Sequence, residues 1–527
     1  MVRAYHLRRV IVELIKKNIH MEQRIKWAAS QISLEEDQNI SDQKPDAYKI
    51  ICKSACVKVE ETKPVEEAVW IKGCLEYKVL YLTDEKERQM CSMEGKMPFE
   101  EKIYTDRNVT GDSLRVHTKV DDLTIRLINS RKMNIRCIIG VEITQDNLYD
   151  EEVVMDVENP QMCEILKKPL EVTTVVLDTK DIYRVREELE VPDGLPNIYS
   201  IIWKDVRMEG LNFIPMDGKI GISGETNCFF LYEGEEEAIP RCFEVSRPFS
   251  GILDVPECRE NTQLRMDYEM EPAHIEVKPD YDGEERQIDV EMELKLYIKL
   301  YQNATLAVVA DAYGIQEKME PVMKESHCEK ILKKESGKIK VNDSWENKGN
   351  PGIEMQILRA SGNILEEEVK MMEDSAVLSG ILHVDILCAV KEESEPYRCI
   401  SMDIPYEHSV PVNGASQNCP YYSKICIEQL GAIQQGERMD IRAILTYQLM
   451  VYQVVAKPLL IDMNKAETGK EQKELPVMSV YFAKENENIW EVGKKYQVPL
   501  VTIRNLNQLA EDTLCDGQKV LIVKETV

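Results

Sequence analysis

The chain has 527 residues, 43% of them hydrophobic, which is enough for several domains with buried cores. Its net charge of −28 argues against nucleic acid or an anionic membrane as the main partner. Most of the fifteen cysteines lie in apolar strand patterns, as Cys137 and Cys228 do, and no CxxC pair occurs. This pattern favours free thiols in a reducing compartment over disulfides or zinc, and we expect no metal and no cofactor.

The N-terminal segment carries arginines but no uninterrupted apolar core, so it predicts neither a signal peptide nor a membrane span. No other stretch approaches eighteen apolar residues. We therefore expect a soluble cytoplasmic protein.

Three copies of one pattern follow. Prolines at positions 45, 196 and 351 lie 151 and 155 residues apart, and a glycine follows each one after 28 or 29 residues, at Gly73, Gly224 and Gly380. A cysteine comes 18 or 19 residues after each glycine, and a Pro-aromatic pair comes soon after that. These later markers are Cys91, Cys242 and Cys399, then Pro98-Phe99, Pro248-Phe249 and Pro405-Tyr406. Four markers in register indicate an internal triplication.

The period of about 150 residues is too long for a solenoid, so each copy is predicted to be its own domain. Alternating strands dominate each copy, which predicts an antiparallel β-sandwich-like fold closed by two long strands. The repeated glycine suggests a bulge or a close-packing site. Polar stretches at 159–170 and 317–326 mark the joins, and we expect the three sandwiches to form an extended acidic body. The predicted domains are 12–158, 159–316 and 317–462.

Motifs for catalysis are absent from the sequence. It contains no GxxxxGK[ST] phosphate loop, no HExxH and no GxSxG elbow. The glycines at 218–224 lie within a strand pattern and open no helix, which argues against a dinucleotide site. The chain is therefore predicted not to be an enzyme, and an enzyme with an unrecognised site remains the alternative.

The C-terminal fifty residues form a compact pattern of their own. Residues 463–476 are charged and poor in apolar side chains, so they predict a flexible linker. Asn488 is placed as an N-cap for a first helix, and Pro499 for the first turn of a second. Strand patterns at 480–484 and 519–523 flank these helices, and Asp516-Gly517 predicts a turn. The order β-α-α-β predicts a small module at 477–525.

This module resembles a LysM domain over its whole length. LysM domains commonly bind N-acetylglucosamine glycans, so the resemblance implies peptidoglycan as one ligand. The chain departs from the family at Asn486-Glu487-Asn488, where LysM domains usually have Gly-Asp-Ser/Thr. The resemblance rests on Tyr481, Ile489-Trp490, Lys494-Lys495-Tyr496, Val498, Asn505-Leu506-Asn507 and Gly517-Gln518-Lys519.

The departure leads to a hypothesis about the module's surface. Asn486 adds a side chain where glycine would let a sugar approach, so the loop is expected to bind a protein instead. Trp490 is either a half-buried helix residue or an exposed anchor for that partner. The candidate partner-binding residues are Asn486, Asn488, Ile489, Trp490, Lys494, Asp516 and Gly517.

The repeats also have a family likeness. The stretches LIKKNIHMEQ, KPDAYKII and the strand around Gly73 resemble the SPOCS domain of endospore-forming Firmicutes. Repeated SPOCS domains with a C-terminal LysM domain resemble the SipL-like spore coat morphogenesis proteins. The resemblance implies a scaffold that holds a SpoIVA-like coat ATPase on the mother-cell side of the forespore. It begins near residue 13, so we expect translation to start at Val12 and residues 1–11 to be absent from the native protein.

Overall fold

Long antiparallel strands build almost the whole chain in the computed structural model. The structure describes residues 12–85, 88–105, 109, 114–235, 239–315, 317–346, 355–391, 395–436, 438–465 and 477–524. The first repeat contains β1 (Leu14–Asn39), β2 (Ala47–Val65), β3 (Ala68–Thr83), β4 (Met90–Tyr104), β5 (Leu114–Asn129) and β6 (Lys132–Val157). The second contains β7 (Cys163–Glu190), β8 (Ile198–Met216), β9 (Lys219–Gly234), β10 (Arg241–Asp254), β11 (Gln263–Met270), β12 (His274–Pro279) and β13 (Glu285–Gly314). The third contains β14 (Met319–Glu346), β15 (Met355–Met372), β16 (Ser375–Val390), β17 (Tyr397–Pro411), β18 (Tyr421–Gln435) and β19 (Arg438–Lys465).

Each repeat consists of two antiparallel sheets packed face to face. One sheet has the orders β2-β3-β4, β8-β9-β10 and β15-β16-β17. In the other, the first strand of the repeat pairs with the last, as in β1-β6-β5 and β14-β19-β18. In the second repeat two short strands, β11 and β12, replace the fifth strand beside the β7–β13 pair. The predicted fold class, three antiparallel sandwich-like repeats followed by a βααβ module, is confirmed.

Alternation of side chains explains why the two sheets join. In β6, Met133, Ile135 and Cys137 are fully buried at every second position, and their side chains face the core of the first repeat. Cys137 and Cys228 are buried as the sequence predicts, and burial raises the pKa of the Cys228 thiol to about 12. These thiols therefore act as small core residues rather than as nucleophiles.

The repeated glycine lies under the repeated aromatic ring. Gly73 pairs across the sheet with Phe99, and Gly380 pairs in the same way with Tyr406. A Cβ on Gly380 would lie 2.0 Å from the Glu366 carbonyl oxygen and 2.5 Å from the Tyr406 hydroxyl. The glycine is therefore a close-packing site, which was one of the two predicted roles.

The structure refines the predicted ends of the repeats. The first and third repeats close with two paired strands, β5-β6 and β18-β19, and the last strand is the longer one, at 26 and 28 residues. In the second repeat the last strand, of 30 residues, follows two short strands. Most of the predicted joins at 159–170 and 317–326 belongs to β7 and β14, because these strands start immediately after the turns. Residues 463–465, predicted as linker, complete β19. The remaining linker residues 466–476, and residues 1–11 with their expected absence, lie outside the described residues.

The three repeats pack against one another instead of forming an extended body. Leu80, Leu231 and Leu387, each seven residues after its repeated glycine, meet in one buried cluster. A second cluster joins Val157, Ala312 and Met463, which lie at matching places near the ends of the three long last strands. Because equivalent residues of the three repeats meet, the repeats are arranged like the three subunits of a trimer, although they belong to one chain. Their apolar side chains face outward from each sandwich, and burying them drives the association.

A buried charge network lies where the repeats meet. The Lys299 side chain is 1% exposed, and its Nζ donates to the Asp146 carboxylate at 2.7 Å and to Glu22. Arg265 is also buried and pairs with Asp267 at 3.2 Å. Burial alone would raise the pKa of Asp267, but Arg265 and other nearby cations hold it at about 2. Lys299 and a third carboxylate, Asp178 at 3.2 Å, belong to the second repeat, whereas Glu22 and Asp146 belong to the first, so the network joins the two repeats.

Replacement of Gly380 by alanine should destabilise the third repeat by about 1–3 kcal/mol, since the new methyl group meets a backbone carbonyl that cannot move freely. A Cβ added to Gly431 in the same repeat would meet no atom of the described residues within 4 Å, so Gly431→Ala is the matched control. Urea unfolding followed by circular dichroism measures both variants. Equal midpoints for the two would contradict the close-packing role.

Lys299→Met should cost about 3–5 kcal/mol, because it leaves Glu22 and Asp146 buried without their shared cation. Lys219 of the same repeat is exposed, so Lys219→Met tests loss of a lysine without loss of the network. The measurement is the free energy of unfolding in urea. A loss below about 1 kcal/mol for Lys299→Met would show that the network does not hold the repeats together.

Candidate partner-binding site

The C-terminal module has the predicted βααβ order. It contains β20 (Met478–Phe482), α1 (Ile489–Tyr496), α2 (Leu500–Asn507) and β21 (Lys519–Val523), with β20 and β21 paired antiparallel. The Asn488 side chain caps α1 by accepting from the Trp490 backbone N–H at 2.9 Å, as predicted. Pro499 is the N-cap residue of α2, one place before its first turn. The caps fix the direction in which α1 presents its side chains.

Two loops of the module, around Asn486 and around Asp516, lie side by side and form one rim. The Leu514 N–H donates to the Glu487 carbonyl at 2.8 Å, and the Gly517 N–H donates to the Ala483 carbonyl at 2.9 Å. Asn486 has a φ of 59°, a left-handed conformation that suits the glycine it replaces. The Glu487 carboxylate accepts from the Tyr481 hydroxyl at 2.8 Å, so this side chain braces the loop. Asn486, Asn488, Asp516 and Gly517 are exposed, and the structure brings them together on this rim.

The other predicted site residues lie elsewhere. Ile489 is 0% exposed and packs in the core of the module with Val492 and Ile503. Its side chain therefore cannot contact a partner while the module is folded, so the interpretation of Ile489 as an anchor is corrected to a core role. Trp490 is 7% exposed, but its indole lies outside the module core.

Trp490 and Lys494 contact the second repeat. The Trp490 indole N–H donates to the Asp311 carboxylate at 2.9 Å, and Lys494 Nζ donates to both Asp311 oxygens at 2.6 and 2.7 Å. The indole also meets the Tyr313 ring edge to face, with centroids 5.0 Å apart. One aspartate thus binds the two side chains that the sequence assigned to an external partner.

Further contacts make this docking surface specific. The Tyr313 hydroxyl donates to the Val498 carbonyl at 2.9 Å, and burial raises the pKa of Tyr313, so the hydroxyl stays a donor. The Leu500 N–H at the start of α2 donates to the Glu164 carboxylate at 3.1 Å. A Cβ on Gly493 would lie 2.5 Å from the Tyr313 hydroxyl, so only glycine lets α1 approach this closely.

Comparison with known proteins identifies the repeats. The family model for the SipL SPOCS domain matches residues 46–128, 197–278 and 355–433. The chain carries three SPOCS domains of the SipL family. The family of these domains suggests a sporulation protein related to the spore coat. No curated protein and no solved structure matches the chain.

The SPOCS matches cover the strands β2–β5, β8–β12 and β15–β18, and they leave the long first and last strand of each repeat outside. The docking residues Asp311 and Tyr313 belong to such a last strand, and sequence reasoning missed them. A signal was present: Asp156, Asp311 and Asp462 recur at spacings of 155 and 151 residues, close to the 151 and 155 of the repeated prolines. Each of these carboxylates accepts from the next backbone N–H, at 2.8–2.9 Å. Only Asp311 binds the module.

The described residues also bear on two further kinds of feature, metal sites and membrane-spanning helices. Within these ranges the SPOCS repeats and the module contain no group of three or more His, Cys, Asp or Glu side chains that could hold a metal ion. Over the same ranges, neither helix is long and apolar enough to cross a membrane.

Asp311→Ala should release the module from the second SPOCS repeat. The change removes an ion pair and the indole hydrogen bond, which together stabilise the docked module by roughly 2 kcal/mol. Their loss should raise the population of undocked module about thirtyfold. Hydrogen–deuterium exchange of a peptide covering residues 489–500 measures the release. Asp462→Ala is the control, because it removes the equivalent carboxylate and its backbone hydrogen bond without touching the module. Unchanged exchange in Asp311→Ala would contradict the docking.

Proposed function

We propose that the protein is a non-enzymatic scaffold of spore coat assembly. The three SPOCS repeats form its body, and the LysM-like module holds a SpoIVA-like ATPase of the coat basement layer at the mother-cell side of the forespore. The triple match to the SPOCS domain carries this proposal. The lack of catalytic motifs in the sequence supports a scaffold role.

The docked module adds a condition to this proposal. Trp490 and Lys494 are a large aromatic anchor and a cation, the side-chain types that dominate protein interfaces and steer association. Both are bound to Asp311 within the chain. A partner that uses them must therefore compete with Asp311 and Tyr313, while the rim of Asn486 and Asp516 stays open to a first contact.

Trp490→Ala should weaken capture of a purified SpoIVA-like ATPase by about thirtyfold, the cost of removing a central interface anchor. Asp311→Ala keeps the anchor and removes its internal competitor, so its capture should equal or exceed that of the wild type. Phe482→Ala is the aromatic control, since this exposed side chain lies on the sheet of the module, away from α1. Biolayer interferometry with the full-length chain gives the three affinities.

The outcomes separate the proposed partner from a glycan. Calorimetric titration of the full chain with N-acetylglucosamine oligomers is expected to show no binding. Micromolar binding of these oligomers, with ATPase capture indifferent to Trp490→Ala, would favour peptidoglycan recognition instead. Loss of capture only in Phe482→Ala would place the partner on the sheet of the module.

A further inference from the structure

A cavity of about 610 Å³ lies where the three SPOCS repeats converge, a size typical of small-molecule sites. Strands of all three repeats contribute to its walls. Four carboxylates line it against two cations, Arg265 and Lys324, so its lining is negative. Five tyrosine rings give it a largely aromatic wall: Tyr149, Tyr301, Tyr421, Tyr422 and Tyr452.

Both cations of the cavity are already neutralised. Arg265 pairs with Asp267 and lies 4.3 Å from the centroid of the Tyr422 ring. Lys324 Nζ donates to both oxygens of Glu151, at 3.0 and 3.2 Å. The cavity therefore offers no free positive charge to an anionic ligand.

Glu329 is a partly buried carboxylate of the cavity wall that has no partner among the described residues. Within the described part of the chain, no hydrogen bond or ion pair reaches its side chain, although the residue is partly buried in the cavity wall. Burial and the nearby Glu22 raise the pKa of Glu329 to about 7. A desolvated carboxylate is costly unless a cation or donor meets it.

The first repeat shows what such a carboxylate binds in this fold. Glu22, Thr173 and Glu329 are equivalent, because each pairs with the residue eight places before its recurring aspartate. All three line the cavity. Glu22 accepts a hydrogen bond from the ammonium group of Lys299, whereas no side chain of the described residues supplies a cation to Glu329. The position at Glu22 thus holds an ammonium group, and the equivalent position at Glu329 is free to receive one from a ligand.

We propose that this cavity binds a small aliphatic amine of the diamine or polyamine class. One primary ammonium group pairs with Glu329, and the methylene chain and second ammonium lie against the tyrosine rings. Aromatic faces attract cations, and this attraction strengthens where water is excluded. A primary ammonium group on a methylene chain also matches the Lys299 side chain of the second repeat, which pairs with Glu22 of the first.

The test is calorimetric titration of the full-length protein with 1,4-diaminobutane and with spermidine. The net charge of −28 attracts any cation, so matched variants separate the cavity from the surface. Glu329→Gln should weaken binding about ten- to hundredfold, the effect of losing a charged hydrogen bond. Glu325→Gln removes the same charge from an exposed position at the cavity edge and should change affinity less than about twofold.

A proton count gives an independent readout. Because burial raises the pKa of Glu329 to about 7, amine binding near pH 7 should release a fraction of a proton in the wild type and none in Glu329→Gln. The titratable groups facing Glu329 are Glu22 from β1, Tyr149 from β6 and Tyr452 from β19. The heats of amine binding, measured in two buffers of different ionisation enthalpy, give the number of protons released.

A second pair of variants tests the aromatic wall. Tyr452→Phe keeps the ring and should bind within about twofold of the wild type, whereas Tyr452→Leu should bind about tenfold more weakly. Circular dichroism establishes that each variant is folded. The proposal is overturned if no saturable binding occurs at millimolar amine, or if Glu325→Gln and Glu329→Gln lose affinity equally.

Discussion

The pairing of Lys299 with Glu22 and Asp146 is the constraint on which the assembly of the three repeats depends. A fully buried ammonium group is tolerated only where carboxylates compensate for its lost hydration. Those carboxylates belong to another repeat, so the second repeat cannot leave the first without exposing or orphaning these charges. Apolar clusters supply the driving force for packing, whereas this network fixes which surfaces meet and in what register.

The fold of each repeat was largely predictable because its signals are local. Alternating side chains specified strands, and the repeated glycine marked either a bulge or a close-packing site. The pairing of Gly380 with Tyr406 in the structure shows that it is a close-packing site. The module was predictable for the same reason, since Asn488 caps the helix that follows it. The three copies of each marker made the internal triplication visible.

The packing of the repeats and the docking of the module could not be predicted from local sequence patterns. Leu80 is an ordinary strand residue in the sequence, and only its meeting with Leu231 and Leu387 shows that it faces another repeat. Ile489 and Trp490 are adjacent on one helix and equally apolar, yet one fills the module core and the other contacts Asp311. Both outcomes depend on tertiary contacts, which periodicity does not encode.

Fusion of three copies in one chain explains how charge came to lie at their common junction. Twelve residues before the recurring aspartates stand Thr144, Lys299 and Met450, so only the second repeat carries a lysine there. In a trimer of identical chains the same position would bring three buried ammonium groups together, at a prohibitive cost in repulsion and desolvation. A single chain can place one lysine beside carboxylates of its neighbour and leave the other two positions uncharged. The same freedom leaves Asp311, alone among three equivalent aspartates, as the residue that receives the module.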